Sequence, residues 1–144
     1  ADLGSSAVAE LIKEYAKKHE SRVKIINSLG QLNYLSALKH CKAVIGNSSS
    51  GIIEAPSFGV STLNIGNRQR GRLRASSIVD CDGAYNSIAK SLKYALSDTH
   101  CLKAQSTINP YGKAGASKKI KQHLKHIDLD GLLLKKFYNL AVNH

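Results

Sequence analysis

The hydrophobic and polar positions of this chain alternate between helical and strand-like spacing. In the first twenty residues, apolar side chains recur three or four positions apart, which predicts one amphipathic helix that begins at Ser5 or Ser6 and ends near His19. The residues of this apolar stripe are Val8, Leu11, Ile12, Tyr15 and Ala16. The chain therefore begins with a helix that needs a surface to pack against.

Short runs rich in β-branched residues predict four strands, at 22–27, 42–46, 61–65 and 77–81. Helical spacing between and after them predicts helices at 31–41, 51–58, 82–97, 99–106, 116–127 and 130–142. Strands and helices that alternate over such lengths are typical of a parallel sheet with crossover helices. The predicted fold class is therefore α/β.

One stretch combines a strand end, a polar loop and a helix start. The strand ends at Gly46, residues 47–50 form what we call the serine loop, and the following apolar segment opens with Gly51 and carries a single acid, Glu54. Free backbone N–H groups at a helix start, together with serine hydroxyls, favour an anionic ligand, and a glycine permits close approach to it. Serines at this place are equally typical of a helix cap and a turn. The stretch alone leaves both interpretations open.

A second polar loop follows the next predicted strand. Residues 66–72, which we call the arginine loop, contain Arg68, Arg70 and Arg72, and Arg74 follows without an acid nearby in the sequence. Ligands of open parallel sheets bind beyond the carboxyl ends of the strands. Both loops lie at that edge, so we expect one ligand to contact both.

Composition narrows the class of protein. The chain has 144 residues, 42% of them hydrophobic, which suits one globular domain. It lacks an apolar run of about 18 residues and a signal-peptide pattern, so we expect a soluble, cytoplasmic protein without a membrane contact. Three widely spaced cysteines without a C-x-x-C motif indicate neither a disulfide framework nor a zinc site, and we interpret His123 and His126 as surface residues rather than metal ligands.

The formal net charge of +11 is concentrated in two places, the four arginines at 68–74 and seven lysines between Lys113 and Lys136. Such charge favours an anionic partner: a nucleotide, a nucleic acid or an acidic domain. Only 6% of the residues are aromatic, and no motif of a known nucleic-acid-binding module is present, so nucleic acid is the less favoured partner.

Two motifs, GNSSSGIIEAPSFG at 46–59 and NIGNRQRGR at 64–72, resemble the UDP-N-acetylglucosamine 2-epimerase family. The likeness is closest to its hydrolysing branch, which makes N-acetylmannosamine or a related sugar for sialic-acid-type synthesis. Segments 28–32 and 109–112 are also similar, so the resemblance covers most of residues 22–120.

The resemblance implies a GT-B fold, in which two Rossmann-like domains hold a UDP-sugar between them. Residues 1–144 are similar to the second of these domains alone, a Rossmann-like parallel sheet with helices on both faces. Its first strand is expected to be missing, and the helix at 130–142 is a candidate for crossing to an absent N-terminal domain. An exposed sheet edge also favours association, so a homo-oligomer is one alternative.

The resemblance also implies roles for individual residues. Diphosphate is expected at Ser49, Ser50 and Gly51, the ribose hydroxyls at Glu54, and the leaving phosphates near Arg68. The remaining expected UDP-binding residues are Asn47 and Ser48 in the serine loop and Tyr34, which lies in the segment near the uracil.

The reaction implied by the resemblance needs neither a metal nor a cofactor. UDP is eliminated to give a glycal, which water then converts to the epimerised sugar. The family's proton-transfer residues have no match in this chain, so we expect it to bind UDP or UDP-N-acetylhexosamine weakly and to be inactive alone. The alternatives are a stand-alone UDP-binding or assembly module and a basic nucleic-acid-binding domain.

Overall fold

A three-stranded parallel sheet lies at the centre of the protein. The structure, a computed structural model, describes residues 5–131, 133 and 134. The strands are Ala43–Gly46 (β1), Ser61–Ile65 (β2) and Ile78–Cys81 (β3). The helices are Ser5–Lys18 (α1), Gly30–His40 (α2), Ser49–Ile53 (α3), Tyr85–Ala95 (α4), Asp98–Gln105 (α5) and Ala116–His126 (α6).

The strands lie side by side in chain order, with β2 in the middle. Ala43 of β1 is opposite Ser61 of β2, and Thr62 of β2 is opposite Ile78 of β3. Four consecutive residues of β2 are buried, because this strand has a neighbour on each side and helices above and below. The parallel sheet and three of the four predicted strands are confirmed.

Two adjacent residues of β2 show that helices cover both faces of the sheet. The hydroxyl of Ser61 donates to the carbonyl oxygen of Ala95 in α4, at 2.7 Å. The methyl group of Thr62 lies 2.9 Å from the position that a Cβ on Gly51 of α3 would occupy. Since successive side chains of a strand point to opposite faces, α3 and α4 lie on opposite sides. The predicted α/β class is confirmed, and this arrangement is compatible with the C-terminal domain of a GT-B fold.

The helix predicted at 51–58 is divided. α3 begins two residues earlier and ends at Ile53, and Ala55–Phe58 forms a separate 3₁₀ turn. Pro56 explains the division, because proline has no N–H to donate and its ring clashes with the carbonyl four residues before it. Gly59, with a φ of 65°, ends the turn in the left-handed conformation that glycine adopts readily.

The prediction of a strand at 22–27 is wrong. This segment forms no ladder, and the structure's only sheet within the described residues contains β1, β2 and β3. Ile25 and Ile26 are exposed. Strand formation needs a hydrogen-bonded neighbour, and the described part of the chain supplies none for this segment.

The outer helices have apolar faces that remain exposed. Val8 and Leu11 of α1 are 56% and 65% exposed, while Ala16 is buried. Every residue of α6 is exposed. The helix predicted at 130–142 does not begin at Asp130, which lies in a turn, and most of this segment falls outside the described residues.

Candidate functional site

The serine loop begins where β1 ends and leads into α3. Ser48 is the N-cap of this helix, and its hydroxyl accepts a hydrogen bond from the Ser50 N–H at 3.3 Å. Asn47 and Ser48 are exposed, whereas Ser49 and Ser50 are half-buried. The capping interpretation is therefore confirmed for Ser48. Ligand binding by this loop remains a prediction.

Tyr34, Ser50 and Glu54 meet beside the serine loop although they come from two different helices and a turn. The Ser50 hydroxyl donates to Oε2 of Glu54, and it also contacts the Tyr34 hydroxyl. A hydroxyl carries one proton, so Tyr34 is the donor to Ser50. The proton of Ser50 is thus directed at Glu54 rather than outward. In this arrangement the Ser50 hydroxyl has no second proton to donate to another group.

A cavity of about 640 Å³ opens next to this cluster. The cavity is lined by the segment before α2, by the first turns of α2 and by Glu54, which follows α3. The lining residues are Ile26, Asn27, Ser28, Leu29, Gly30, Gln31, Tyr34 and Glu54. Glu54 is exposed, and its carboxylate has acceptor capacity beyond the bond from Ser50. The cavity is therefore lined by the Tyr34 side chain and by an exposed carboxylate.

Gly51 allows close packing of α3 on the sheet. It is fully buried, and a Cβ added there would lie 2.9 Å from the methyl carbon of Thr62 and 3.7 Å from Val44. Its N–H donates to the carbonyl of Ser48 at 3.3 Å. The absent side chain lets α3 lie close to β1 and β2, and the contact of Gly51 with a ligand stays a prediction.

A buried glutamine joins the arginine loop to the serine loop. Gln69 is 4% exposed, and its amide nitrogen donates to the carbonyl oxygen of Asn47 at 2.8 Å. The flanking side chains Arg68 and Arg70 are exposed. The two loops that sequence reasoning placed at one sheet edge are thus directly bonded. Gln69 had been missed, because nothing in a charged, glycine-rich segment marks one residue as buried.

The side chain of Arg74 is held in place by hydrogen bonds to neighbouring residues. Its guanidinium pairs with Asp80 at 3.0 Å and donates to the carbonyls of Gln69 and Arg72, each at 2.9 Å. Asn64 donates to the other oxygen of Asp80 at 2.6 Å. The sequence interpretation, which found no acid near Arg74, is corrected, since the neighbouring strand supplies one. The basic cluster available to a ligand is therefore smaller than the sequence predicts.

Comparison with known proteins decides the family. A family model described as UDP-N-acetylglucosamine 2-epimerase matches residues 2–125. The chain belongs to the UDP-N-acetylglucosamine 2-epimerase family. The epimerase match includes the serine loop, the arginine loop and the cavity between α2 and Glu54.

Curated relatives are similar over most of this chain. It is 38% identical over 81% of its length to the polysialic acid biosynthesis protein P7 of Escherichia coli, covering 29% of that protein. It is 37% identical over 97% of its length to the hydrolysing GDP/UDP-N,N'-diacetylbacillosamine 2-epimerase of Campylobacter jejuni, covering 36%. It is 35% identical over 94% to the hydrolysing UDP-N,N'-diacetylbacillosamine 2-epimerase of Legionella pneumophila, covering 34%. The chain thus spans about a third of the length of these relatives.

A thiol also lies at the carboxyl edge of this epimerase-family sheet, where the serine and arginine loops begin. Cys81 ends β3, and burial first, then the charges of Asp82 and Asp80, raises the pKa of its thiol. A raised pKa leaves less thiolate, which is the nucleophilic form. The Cys81 thiol is therefore less nucleophilic at neutral pH than an ordinary thiol.

Within the residues that the structure describes, no group of three or more side chains is arranged to hold a metal ion. The helices of the same residues are also too short or too polar to cross a bilayer. The functional groups at this edge include hydroxyls, a thiol, the exposed carboxylates of Glu54, Asp80 and Asp82, backbone N–H groups and guanidinium groups.

Proposed function

We propose that this chain is the UDP-binding part of a hydrolysing UDP-N-acetylglucosamine 2-epimerase. Family membership supports the reaction class, and the relatives named as hydrolysing epimerases support that branch. The observation that carries the proposal is the junction of Tyr34, Ser50 and Glu54 beside a cavity of about 640 Å³.

The cavity suits the nucleoside. Glu54 lines the cavity and is exposed, and a carboxylate accepts hydrogen bonds from two vicinal ribose hydroxyls. Tyr34 contributes an aromatic ring to the same wall, against which a base can lie. The nucleoside is thus proposed to lie between the start of α2 and Glu54.

The diphosphate is proposed to lie between the serine loop and the arginine loop. Phosphate oxygens accept from backbone N–H groups and hydroxyls and form paired hydrogen bonds with arginine. Asn47, Ser48, Ser49, Ser50 and Arg68 supply these groups. The hydrogen bond from Gln69 to Asn47 supports a shared site, because it holds the loops together.

In the proposed reaction, UDP leaves as the sugar forms a 2-acetamidoglucal, and water then adds to give N-acetylmannosamine or a related sugar. The C2–H bond breaks as its proton passes to a base that the N-terminal domain is proposed to supply, and its electron pair forms the C1=C2 double bond. The bond from the anomeric carbon to the phosphate oxygen breaks in the same elimination, and its electron pair remains on UDP. Donors around the β-phosphate stabilise that charge, with Arg68 as the proposed leaving-group stabiliser. This chain is proposed to supply that stabilisation and to be inactive alone.

A binding experiment tests the site. We expect UDP to bind the 144-residue chain in calorimetry or ligand-detected NMR, and the double variant Ser50→Ala, Glu54→Ala to weaken binding by roughly ten- to hundredfold. The matched control is Glu10→Ala with Ser106→Ala, which removes an exposed acid and a serine from α1 and the end of α5. Equal binding by wild type and the site variant would place UDP elsewhere.

An activity experiment separates an enzyme part from a stand-alone module. The chain is coexpressed with an N-terminal domain taken from a hydrolysing relative, and UDP release from UDP-N-acetylglucosamine is measured. Release that is lost in Arg68→Ala supports the epimerase proposal. UDP binding without any release supports a binding or assembly module.

A further inference from the structure

The side-chain amide of Gln69 links the arginine loop to the serine loop. The carbonyl of Asn47 presents only an acceptor, so the NH₂ end of Gln69 must face it. This orientation leaves Oε1 of Gln69 buried and without a hydrogen-bond partner among the described residues. Buried unpaired acceptors are rare and costly, and they concentrate where function requires a particular geometry.

The backbone on which Gln69 stands is itself restrained. Arg74 donates to the carbonyl oxygen of Gln69 and to that of Arg72, while its Nε contacts Asp80. Asp80 also accepts from Asn64 of β2. A path of hydrogen bonds thus runs from the sheet, through Arg74 and Gln69, to the carbonyl of Asn47.

The hydrogen bond from Gln69 to Asn47 lies next to residues that are proposed to contact the diphosphate. Asn47 follows the last residue of β1 and directly precedes Ser48, the cap of α3. Arg68 directly precedes Gln69. This hydrogen bond therefore ties the backbone of the serine loop to the residue that follows Arg68, and so contributes to the separation between that loop and the exposed arginine.

We propose that Gln69 is a positioning residue that sets the spacing of the serine loop and the arginine loop for the diphosphate of the nucleotide. This inference rests on the proposed function and extends it to a residue that contacts no phosphate itself. Its amide holds two sets of phosphate donors at one separation. Loss of the amide weakens diphosphate recognition and leaves nucleoside recognition, which uses Tyr34 and Glu54.

The test compares UDP with uridine on wild type and on Gln69→Met, which keeps the length and flexibility of the side chain but removes the donor. We expect the preference of wild type for UDP over uridine to fall by roughly three- to tenfold in the variant. We expect the affinity for uridine to change by less than about twofold. Gln122→Met, on the exposed face of α6, is the matched control and should retain the wild-type preference.

The outcomes are distinguishable. A parallel loss of uridine and UDP affinity would indicate general damage and overturn the positioning role. An unchanged preference would also overturn it, while leaving the proposed function intact. Wild type that binds neither compound, or both equally, would contradict the proposed function and this inference with it.

A measurement on wild type keeps the inference testable if Gln69→Met fails to fold. In ¹⁵N-edited NMR spectra, the side-chain amide protons of Gln69 should exchange with solvent more slowly than those of Gln122. The Gln69 amide signal should move on addition of UDP and stay in place with uridine. Side-chain amide protons of Gln69 that exchange as fast as those of Gln122 would contradict the proposed link between the loops. A Gln69 amide signal that does not move when UDP is added would contradict it as well.

Discussion

The sheet with α3, α4 and α5 differs sharply from the flanking helices α1 and α6, although both regions carry clear amphipathic patterns. Leu63 of β2 and Ala95 of α4 are fully buried, whereas Leu11 of α1 is 65% exposed and Leu124 of α6 is 64% exposed. An apolar stripe creates a tendency to pack, but a neighbouring surface must be present for burial to follow. The comparison teaches that periodicity predicts a helix more reliably than it predicts what the helix contacts.

The largest expected effect tests this difference directly. Leu63→Ala removes a fully buried side chain from the central strand and should reduce the free energy of unfolding by about 2–5 kcal/mol. Leu11→Ala makes the same chemical change in α1 and should alter it by less than about 0.5 kcal/mol. Urea unfolding of both variants measures the two values. Equal losses would mean that the stripe of α1 is buried in solution.

A smaller effect is expected where α3 lies against the sheet. Gly51→Ala places a methyl group 2.9 Å from the Thr62 methyl, and we expect a loss of about 1–3 kcal/mol in the free energy of unfolding. Gly83→Ala is the matched control, because nothing lies within 4 Å of its added Cβ. If thermal unfolding finds both variants as stable as wild type, α3 has room to move away from β2.

The buried hydroxyl of Ser61 should contribute less. Ser61→Ala leaves the carbonyl of Ala95 without that donor, and we expect a loss of about 1 kcal/mol. Ser106→Ala removes an exposed hydroxyl at the end of α5 and should be close to neutral. Chemical denaturation of the pair would contradict the prediction if the two variants were equally stable.

The smallest expected effect is on the reactivity of the Cys81 thiol at the end of β3. Because the charge of Asp82 contributes to the raised pKa of Cys81, Asp82→Asn should lower that pKa and increase the thiolate fraction near pH 8.5. We expect the alkylation rate of Cys81 by iodoacetamide to rise by roughly twofold, since an exposed charge has a small influence. Asparagine retains the side-chain oxygen that accepts from the Ala84 N–H. A rate that falls or stays unchanged would contradict the stated cause.

Local patterns predicted most of the central elements. The β-branched runs that end at Gly46, Ile65 and Cys81 became β1, β2 and β3, since each is short, contains β-branched residues and is followed by turn residues. The same kind of run at 22–27 failed, because a strand depends on hydrogen bonds to another segment as well as on its own composition. Pro56 was present in the sequence, yet its division of the predicted helix was missed.

Some features of the candidate site were predicted from the sequence, and others were not. Ser48 as a cap, and the two loops at one sheet edge, follow from residue order and from the polarity of parallel strands. The pairing of Arg74 with Asp80 did not follow, since it joins residues on different segments. The binding roles predicted for Ser49, Ser50, Glu54 and Arg68 remain predictions for the UDP experiments.

By itself, the sequence determined the fold class, the family and the order in which strands deliver polar loops to one edge, because these depend on local composition and motif. Only the tertiary structure decided that Gly51 serves packing, that Arg74 is held by Asp80, and that Gln69 bonds the two loops. Each of these facts depends on which atoms of distant segments come within hydrogen-bond or van der Waals range. Residue type limits such contacts, but the packing of α3 and the arginine loop on the sheet selects them.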